Sequence, residues 1–313
     1  MNSRRRSSLT PRTPGAALNS ILWLASYPKS GNTWVRLLIG ALSLADGEAF
    51  ELNDSIQNDG NANARALVDE LSLIETALLT HQELDELRPD VYPDLAHNPS
   101  AAAELLEEAA PQRLRFMKVH DAYTLNRSGR PVLGGAQAAC GALVIVRDPR
   151  DIAPSLAHNF DISIDRAIDM INDNRLLLRV QPGKQDPRLP QTLMGWSANV
   201  ASWLDQRDLP VHMIRYENLK RDTATTLHTA LNAIGLGFTM EAVARAAALC
   251  AFERLQARER ESGFIEASDS GAAFFRRGLV GGWRDELTAE QVRRLERVHA
   301  SMMTRLGYKL SGA

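Results

Sequence analysis

Ile21-Leu22-Trp23-Leu24-Ala25-Ser26-Tyr27 runs without interruption into Pro28-Lys29-Ser30-Gly31-Asn32-Thr33-Trp34. The first seven residues have the length and apolar composition of a fully buried strand. Trp34, Leu37, Leu38 and Ala41 then recur at i, i+3, i+4 and i+7, which predicts a helix almost at once. The short joint between them holds one glycine, one lysine and three side chains with polar hydrogens. In an open parallel sheet, ligands bind at the carboxyl ends of strands. A helix start there offers unpaired N–H groups and the positive end of the helix dipole. Gly31 lets the backbone approach an anion, Lys29 adds a mobile charge, and Ser30, Asn32 and Thr33 add donors. The stretch predicts an anion cradle.

Three more runs read as buried strands: Leu114–Val119, Leu143–Arg147 and Val211–Tyr216. Helical patterns lie between them, including Met194–Gln206 and Asp222–Ile234. Thr288 with Gln291 three residues on is a capping-box signal for a last helix reaching about Leu306. Strands separated by helices predict an α/β fold with a central parallel β-sheet flanked by helices on both faces. No fixed-period repeat and no obvious linker divides the chain. The reading is therefore one domain over residues 18–313, preceded by a basic tail at 1–17. That tail carries Arg4, Arg5, Arg6 and Arg12 among Ser, Thr and Pro, a composition of disorder.

With 313 residues, 44% hydrophobic and 24% charged, the composition excludes a disordered chain, a collagen and a disulfide scaffold. Cys140 and Cys250 fit no metal-ligand spacing and point to a reducing compartment. No apolar run approaches the roughly 20 residues of a membrane span. The apolar run behind the basic start is too short for a signal peptide, so a cytoplasmic protein is expected. The net charge of −2 is uneven. Residues 51–110 hold 14 Asp and Glu against Arg65 and Arg88, whereas the other 253 residues hold 34 basic and 24 acidic side chains. A solvated acidic helical face is expected there. The sequence pI of about 6.4 and the lack of a basic-aromatic stripe exclude nucleic acid as the partner.

The joint is not a Walker A loop, which needs G-x-x-x-x-G-K-[ST]; here Lys29 precedes Gly31 and the first glycine is missing. Tyr27-Pro28-Lys29-Ser30-Gly31-Asn32-Thr33-Trp34 resembles instead the 5′-phosphosulfate loop of the cytosolic-type sulfotransferases. These use 3′-phosphoadenosine 5′-phosphosulfate (PAPS) and leave 3′-phosphoadenosine 5′-phosphate (PAP). The resemblance implies a P-loop-like three-layer sandwich. It also implies that Lys29, Ser30, Gly31, Asn32 and Thr33 hold the phosphosulfate and that Trp34 stacks on the adenine.

Two further segments carry the same resemblance. Arg147-Asp148-Pro149-Arg150-Asp151-Ile152-Ala153-Pro154-Ser155 is similar to the family's 3′-phosphate motif, R-[ND]-P-[KR]-D-x-x-x-S. A guanidinium at a strand end suits a phosphate, and the following helix brings Ser155 round. Arg276-Arg277-Gly278-Leu279-Val280-Gly281-Gly282-Trp283 resembles R-K-G-x-x-G-D-W, which implies that Arg276, Arg277 and the Gly278 N–H close over the 3′-phosphate; Gly282 stands where the family usually has Asp. Trp196 and Trp203 echo the family's W-x-x-H-V-x-x-W helix. Tyr216, in Tyr216-Glu217-Asn218-Leu219, and Phe252 match aromatic positions that the family turns toward the adenine.

Sulfuryl transfer resembles phosphoryl transfer in having a loose, in-line transition state, so positioning and charge stabilisation dominate. The acceptor must also lose a proton, and His is suited to take it near pH 7. Of seven histidines only His120 ends a strand beside a lysine, in Phe116-Met117-Lys118-Val119-His120. Lys118 and His120 are two apart, so they share one strand face. The segment resembles the family's K-x-H, whose His is the general base and whose Lys helps hold the substrates; Asp121-Ala122 stands where many members have Leu-Pro. Lys29 would then neutralise the bridging oxygen and Ser155 steer Lys29. No metal is required. A nucleoside triphosphate-dependent kinase, the alternative enzyme, needs a Walker lysine and an Mg²⁺ carboxylate, and neither is found. A nucleotide-binding module without catalysis is the non-enzyme alternative, against which His120 and Lys118 speak. The acidic segment favours a neutral or cationic small molecule or a natural product as acceptor. Oligomeric state is left open: Arg284, Thr288, Ala289 and Arg293 match the family's dimer motif only in part.

Overall fold

The computed structural model describes residues 20–45, 47–56, 60–97, 114–178, 186–267 and 273–312. The basic stretch at 1–17 and residues 98–110 of the acidic segment lie outside them. The strands are β1 (Ser20–Ser26), β2 (Leu114–Val119), β3 (Ala139–Val146), β4 (Leu177–Leu178), β5 (Gln191–Thr192) and β6 (Val211–Arg215). The helices of the first half are α1 (Asn32–Leu42), α2 (Arg65–Ser72), α3 (His81–His97), α4 (Gly135–Ala138), α5 (Pro149–Phe160) and α6 (Ile164–Asn172). Those of the second half are α7 (Trp196–Asp205), α8 (Tyr216–Arg221), α9 (Thr223–Ala233), α10 (Met240–Leu249), α11 (Phe252–Ser262), α12 (Trp283–Glu286) and α13 (Ala289–Arg305).

β2, β1, β3 and β6 pair in that order, all parallel. Side chains alternate across the sheet, so each strand feeds two cores. Ile21, Trp23 and Ala25 of β1 face one core with Met117, Val119, Val144 and Val146. That core is closed by residues of α3, α5, α6, α7 and α13, among them Tyr92, Ile152, Ile168, Trp203 and Leu295. Leu22 and Leu24 face the other, with Phe116, Leu143 and Ile145, closed by Leu37, Leu231, Val243 and Leu255. This is the expected α/β sandwich, and each fully buried Leu, Ile or Val contributes about 1.5–3 kcal/mol. Trp23 meets Tyr92 edge-on, with ring centroids 5.3 Å apart.

Local chemistry explains most boundaries. Asp148 accepts a hydrogen bond from the Arg150 N–H and Pro149 takes the first position of α5, where its missing N–H costs nothing. The capping box of Thr288 and Gln291 opens α13. Two expected boundaries shift. β3 begins at Ala139 rather than Leu143, because its first residues are small out of necessity: a Cβ on Gly141 would stand 2.9 Å from the Pro210 carbonyl oxygen. Arg147 lies just past the strand. The α7 helix starts at Trp196 rather than Met194, which takes a left-handed conformation at φ 61°. The antiparallel pair β4–β5, two residues each, is too short to leave a periodic signal.

The outer edge of β2 is bridged at Lys118 by a short segment. The Ala62 N–H donates to the Lys118 carbonyl at 2.9 Å, and the Lys118 N–H to the Gly60 carbonyl at 3.2 Å. Behind β2, Arg88 of α3 is buried at 1% exposure and donates from Nη1 to Asp121 Oδ1 at 3.0 Å and from Nε to the Tyr92 hydroxyl at 2.9 Å. Removing one partner of such a pair strands the other charge in the core. Arg88→Met is expected to destabilise the protein by about 3–5 kcal/mol in urea unfolding, and Arg88→Met with Asp121→Asn to recover a good part of that loss.

Candidate functional site

β1 stands between β2 and β3, so the chain leaves the sheet in opposite directions on its two sides. The carboxyl ends of such strands form a crevice. A cavity of about 750 Å³ opens there, walled by the loops after β1, β2 and β3, by Tyr216 after β6, and by residues 265–267, 274–279 and 282.

The loop after β1 turns through two left-handed residues, Lys29 at φ 67° and Gly31 at φ 102°. A Cβ on Gly31 would lie 2.7 Å from the Tyr216 ring, so only glycine fits. Ser30 is fully buried and its hydroxyl has no partner. The Asn32 side chain departs from expectation. Its NH₂ donates back to the Leu24 carbonyl at 2.8 Å and to Ser26 Oγ at 3.2 Å. What Asn32 offers a ligand is therefore its main-chain N–H in the first turn of α1. The Thr33 hydroxyl donates to Glu266 at 2.7 Å. Lys29 Nζ donates to Asn159 Oδ1 at 2.9 Å and lies 4.3 Å from the centre of the Phe274 ring. Its partner is thus one helical turn beyond Ser155, the residue expected to steer it. Burial, then the neighbouring Lys118 and Arg147, push the Lys29 amine down to about 8.

Arg147 donates to the Lys29 carbonyl and the Leu279 carbonyl, each at 3.0 Å, and its guanidinium stacks 4.4 Å over Tyr216. Its Nε is buried without a partner. The other charged residues of the segment build the scaffold. Arg150 pairs with Asp148 and Glu296, while Asp151 accepts from the Gly281 N–H at 2.7 Å and the Trp283 N–H at 2.9 Å. Arg276 makes a two-pronged pair with Glu286 at 2.6 and 2.9 Å, and Arg277 shares that carboxylate at 2.9 Å. Gly278 takes φ 57° against the Phe252 ring, which a Cβ would meet at 2.4 Å. Trp34 and Tyr216 meet edge-on at 5.9 Å. Lys220 Nζ lies 4.7 Å from Phe252 and 5.8 Å from Trp34, completing an aromatic slot with a cation at its edge.

His120 is held on three sides. Its Nδ1 donates to the Ser26 carbonyl at 2.7 Å, its own carbonyl accepts from Asn199 at 3.0 Å, and the next carbonyl accepts from Trp203 at 2.9 Å. The two anchors belong to the helix framed by the tryptophans. With Nδ1 carrying the proton, Nε2 keeps its lone pair, and His120 lines the cavity. Burial and Lys118 push the imidazole down to about 3.

The structure thus brings every expected site residue to one cavity wall except Ser30, which is buried beneath it. Among the described residues the acidic segment gives the cavity only Asn61 and Asn63. Three of its carboxylates are engaged elsewhere: Asp90 with Arg130, Glu86 with the 126–128 turn, Glu51 with Arg258.

A family model described as the sulfotransferase domain matches residues 20–307. The chain belongs to the sulfotransferases. Cytosolic sulfotransferase 17 of Arabidopsis thaliana is 24% identical over 293 residues, 88% of this chain and 71% of that protein. Cytosolic sulfotransferase 12 of the same plant is 24% identical over 309 residues, 94% of this chain and 81% of that one. Mouse sulfotransferase SULT7A1 complexed with PAP superposes with a TM-score of 0.56 at 18% identity, covering 91% of this chain and 84% of its own. Retinol dehydratase in a complex with retinol and PAP gives 0.53 at 18% identity, covering 95% and 84%. At such identities the superpositions speak for the fold. This sulfotransferase is therefore an enzyme of sulfuryl transfer, and the kinase and inactive-module alternatives fall. Among the described residues no helix is long and apolar enough to cross a membrane.

Several cavity residues escape the sequence motifs. Asn159, Lys220 and Glu266 line this sulfotransferase's cavity, and Arg36 lies behind it, pairing with Glu266 at 2.6 Å. Only the buried charge of Arg36, in the apolar stripe of a helix, could have been noticed. Acid stability follows from the site. His120, and His299 at about 4, are neutral in the fold and gain protons only on unfolding below the usual imidazole range near 6.5. The unfolded state then binds more protons, so stability falls as pH drops from about 6.5 toward 4. Chemical denaturation across that window is expected to show this slope, and His120→Asn to make it shallower.

Proposed function

We propose that the enzyme transfers the sulfuryl group of PAPS to a hydroxyl or amine of a small-molecule or natural-product acceptor, with His120 as general base. One observation carries the reading: His120, its Nδ1 proton spent on the Ser26 carbonyl, lines the same cavity as the left-handed anion loop and Lys29. The residues present fit the donor. Ser30 Oγ and Arg147 Nε are buried polar atoms without partners. PAP in the solved relatives supports the same donor, and relatives named as cytosolic support a cytoplasmic setting.

Lys29, Ser30, Thr33 and the N–H groups of Gly31 and Asn32 would bind the 5′ end, with Arg147, Ser155, Arg276, Arg277 and the Gly278 N–H at the 3′-phosphate. Trp34, Tyr216 and Phe252 form the slot for the adenine. When bound, the donor supplies the sulfuryl group and a phosphate leaving group. His120 Nε2 takes the acceptor proton; Ser26 holds its ring, and Asn199 and Trp203 hold the main-chain carbonyls of His120 and Asp121. Anionic charge nearby raises the imidazole from about 3, so the base is neutral at rest and strengthens as the site fills. Lys29 leaves Asn159 to meet the charge growing on the bridging oxygen, with Ser155 on the same helical face one turn earlier. Asn61, Asn63 and Gln191 beside His120 suit a polar acceptor, the class that retinol and androsterone in the relatives represent only by their hydroxyl.

PAP at about 100 times its dissociation constant should add about 2.7 kcal/mol and raise the melting temperature by several degrees without Mg²⁺. A shift with ATP and Mg²⁺ alone would sink the reading. His120→Ala should lower kcat about 10²–10⁴-fold while the Kd for PAP holds. Lys29 loses its proton above about pH 8 in the free enzyme, and a bound anion restores it. PAP binding should therefore take up a proton and weaken as pH rises past 8; calorimetry in buffers of different ionisation heat reads this uptake, and Lys29→Met should abolish it.

A further inference from the structure

Glu266 is far from every motif yet sits at the centre of the site's charges. Its carboxylate accepts from the Thr33 hydroxyl at 2.7 Å and from Arg36 at 2.6 Å, and stands 3.6 Å from Lys118 Nζ. The turn that presents it is pinned, the Ile265 N–H donating to Asn53 Oδ1 at 2.9 Å. Lys118 reaches it from β2, Thr33 and Arg36 from successive turns of α1. We infer that Glu266 is a positioning residue of the transfer step, holding Lys118 protonated and fixed beside His120 while Arg36 balances the carboxylate's own charge. The inference rests on the sulfuryl-transfer reading above.

The physical need is plain. Lys118 is nearly buried, at 15% side-chain exposure, and burial favours the neutral amine. Around it, among the described residues, stand the Glu266 carboxylate and the cations Arg36 and Arg188, with Lys29 and His120 also in range. Burial, Arg36 and Arg188 push the amine down; Glu266 opposes them by charge and by hydrogen bonding. Arg36 and Lys118 in turn hold the carboxyl down at about 2, so Glu266 stays ionised at every working pH. Without it, a neutral Lys118 would add nothing to a transition state whose charge grows on the transferred group. Arg36 alone would leave Lys118 with cationic neighbours only.

The chain has five lysines, Lys29, Lys118, Lys184, Lys220 and Lys309, so lysine Cε resonances in the full-length ¹³C-lysine protein are few enough to assign, with Lys118→Arg marking Lys118. In Glu266→Gln the Lys118 titration should fall by about one pH unit or more, the size of a lost opposite charge within 4–6 Å. The alkaline limb of kcat for PAPS turnover with 4-nitrophenol as probe acceptor should move down with it, and Glu266→Asp should restore both. An unmoved Lys118 titration overturns the inference. So does a moved titration with an unmoved kcat limb, or a loss of activity equal at every pH. Should Glu266→Gln fail to fold, Arg36→Gln with Glu266→Gln removes both buried charges and predicts a smaller fall of the same sign. If the wild-type chain neither binds PAP nor turns over PAPS, the transfer reading fails, and the inference's catalytic claim with it, whereas the resonance experiment still separates that from a failed Glu266–Lys118 pairing.

Discussion

One guanidinium joins the pieces of this site. Arg147, just past β3, ties the Lys29 carbonyl to the Leu279 carbonyl and stacks on Tyr216. Three loops from the beginning, middle and end of the chain are thereby fixed to one planar group with five donors in a rigid fork. A lysine would hold one of them and lose the stack. The left-handed turn at Lys29 and Gly31 is strained, at a cost of order 1–3 kcal/mol for a non-glycine residue, and the Arg147 contact is one of the restraints that keep it. The following helix α1 starts where that turn directs it.

Around this clamp, motif residues divide into those that face the cavity and those that hold the wall. Asp148, Arg150 and Asp151 look like binding residues when read as a string of charges. In the fold they cap α5, reach Glu296, and fasten the main chain of the loop that carries Arg276 to Gly282. Asn199 and Trp203 likewise spend their donors on the carbonyls around His120. The main chain at His120 and Asp121 is thus held by a neighbouring helix, and the His120 ring by Ser26 of β1.

Much of this was legible in the sequence because it is local. A strand, a glycine turn and a helix follow one another within residues 20–42, and their period and composition suffice. The capping box of α13 and the end of β2 at His120 are local in the same sense. Glu266 was not legible, because its meaning comes from Thr33 and Arg36 more than two hundred residues away. Asn159 was missed because an asparagine one turn beyond a motif serine carries no signal until Lys29 is seen to reach it. The acidic segment is read differently in sequence and fold. Its net charge is a fact of composition, but among the described residues Asp90 pairs with Arg130, Glu86 accepts from the Arg127 N–H and Glu51 pairs with Arg258.

The segment from Gly60 to Ala62 bridges the outer edge of β2 at Lys118, and Asn61 within it and Asn63 beside it stand in the cavity wall. Protection of that end of the edge and the shape of this part of the cavity are therefore written into the same few residues. An unpaired edge strand is an invitation to another chain. Divergence toward a new acceptor by insertion or deletion at this segment would trade against solubility. Substitutions that keep its main-chain pairing with Lys118 would leave that trade untouched, and they are the open route by which such an enzyme could change its substrate.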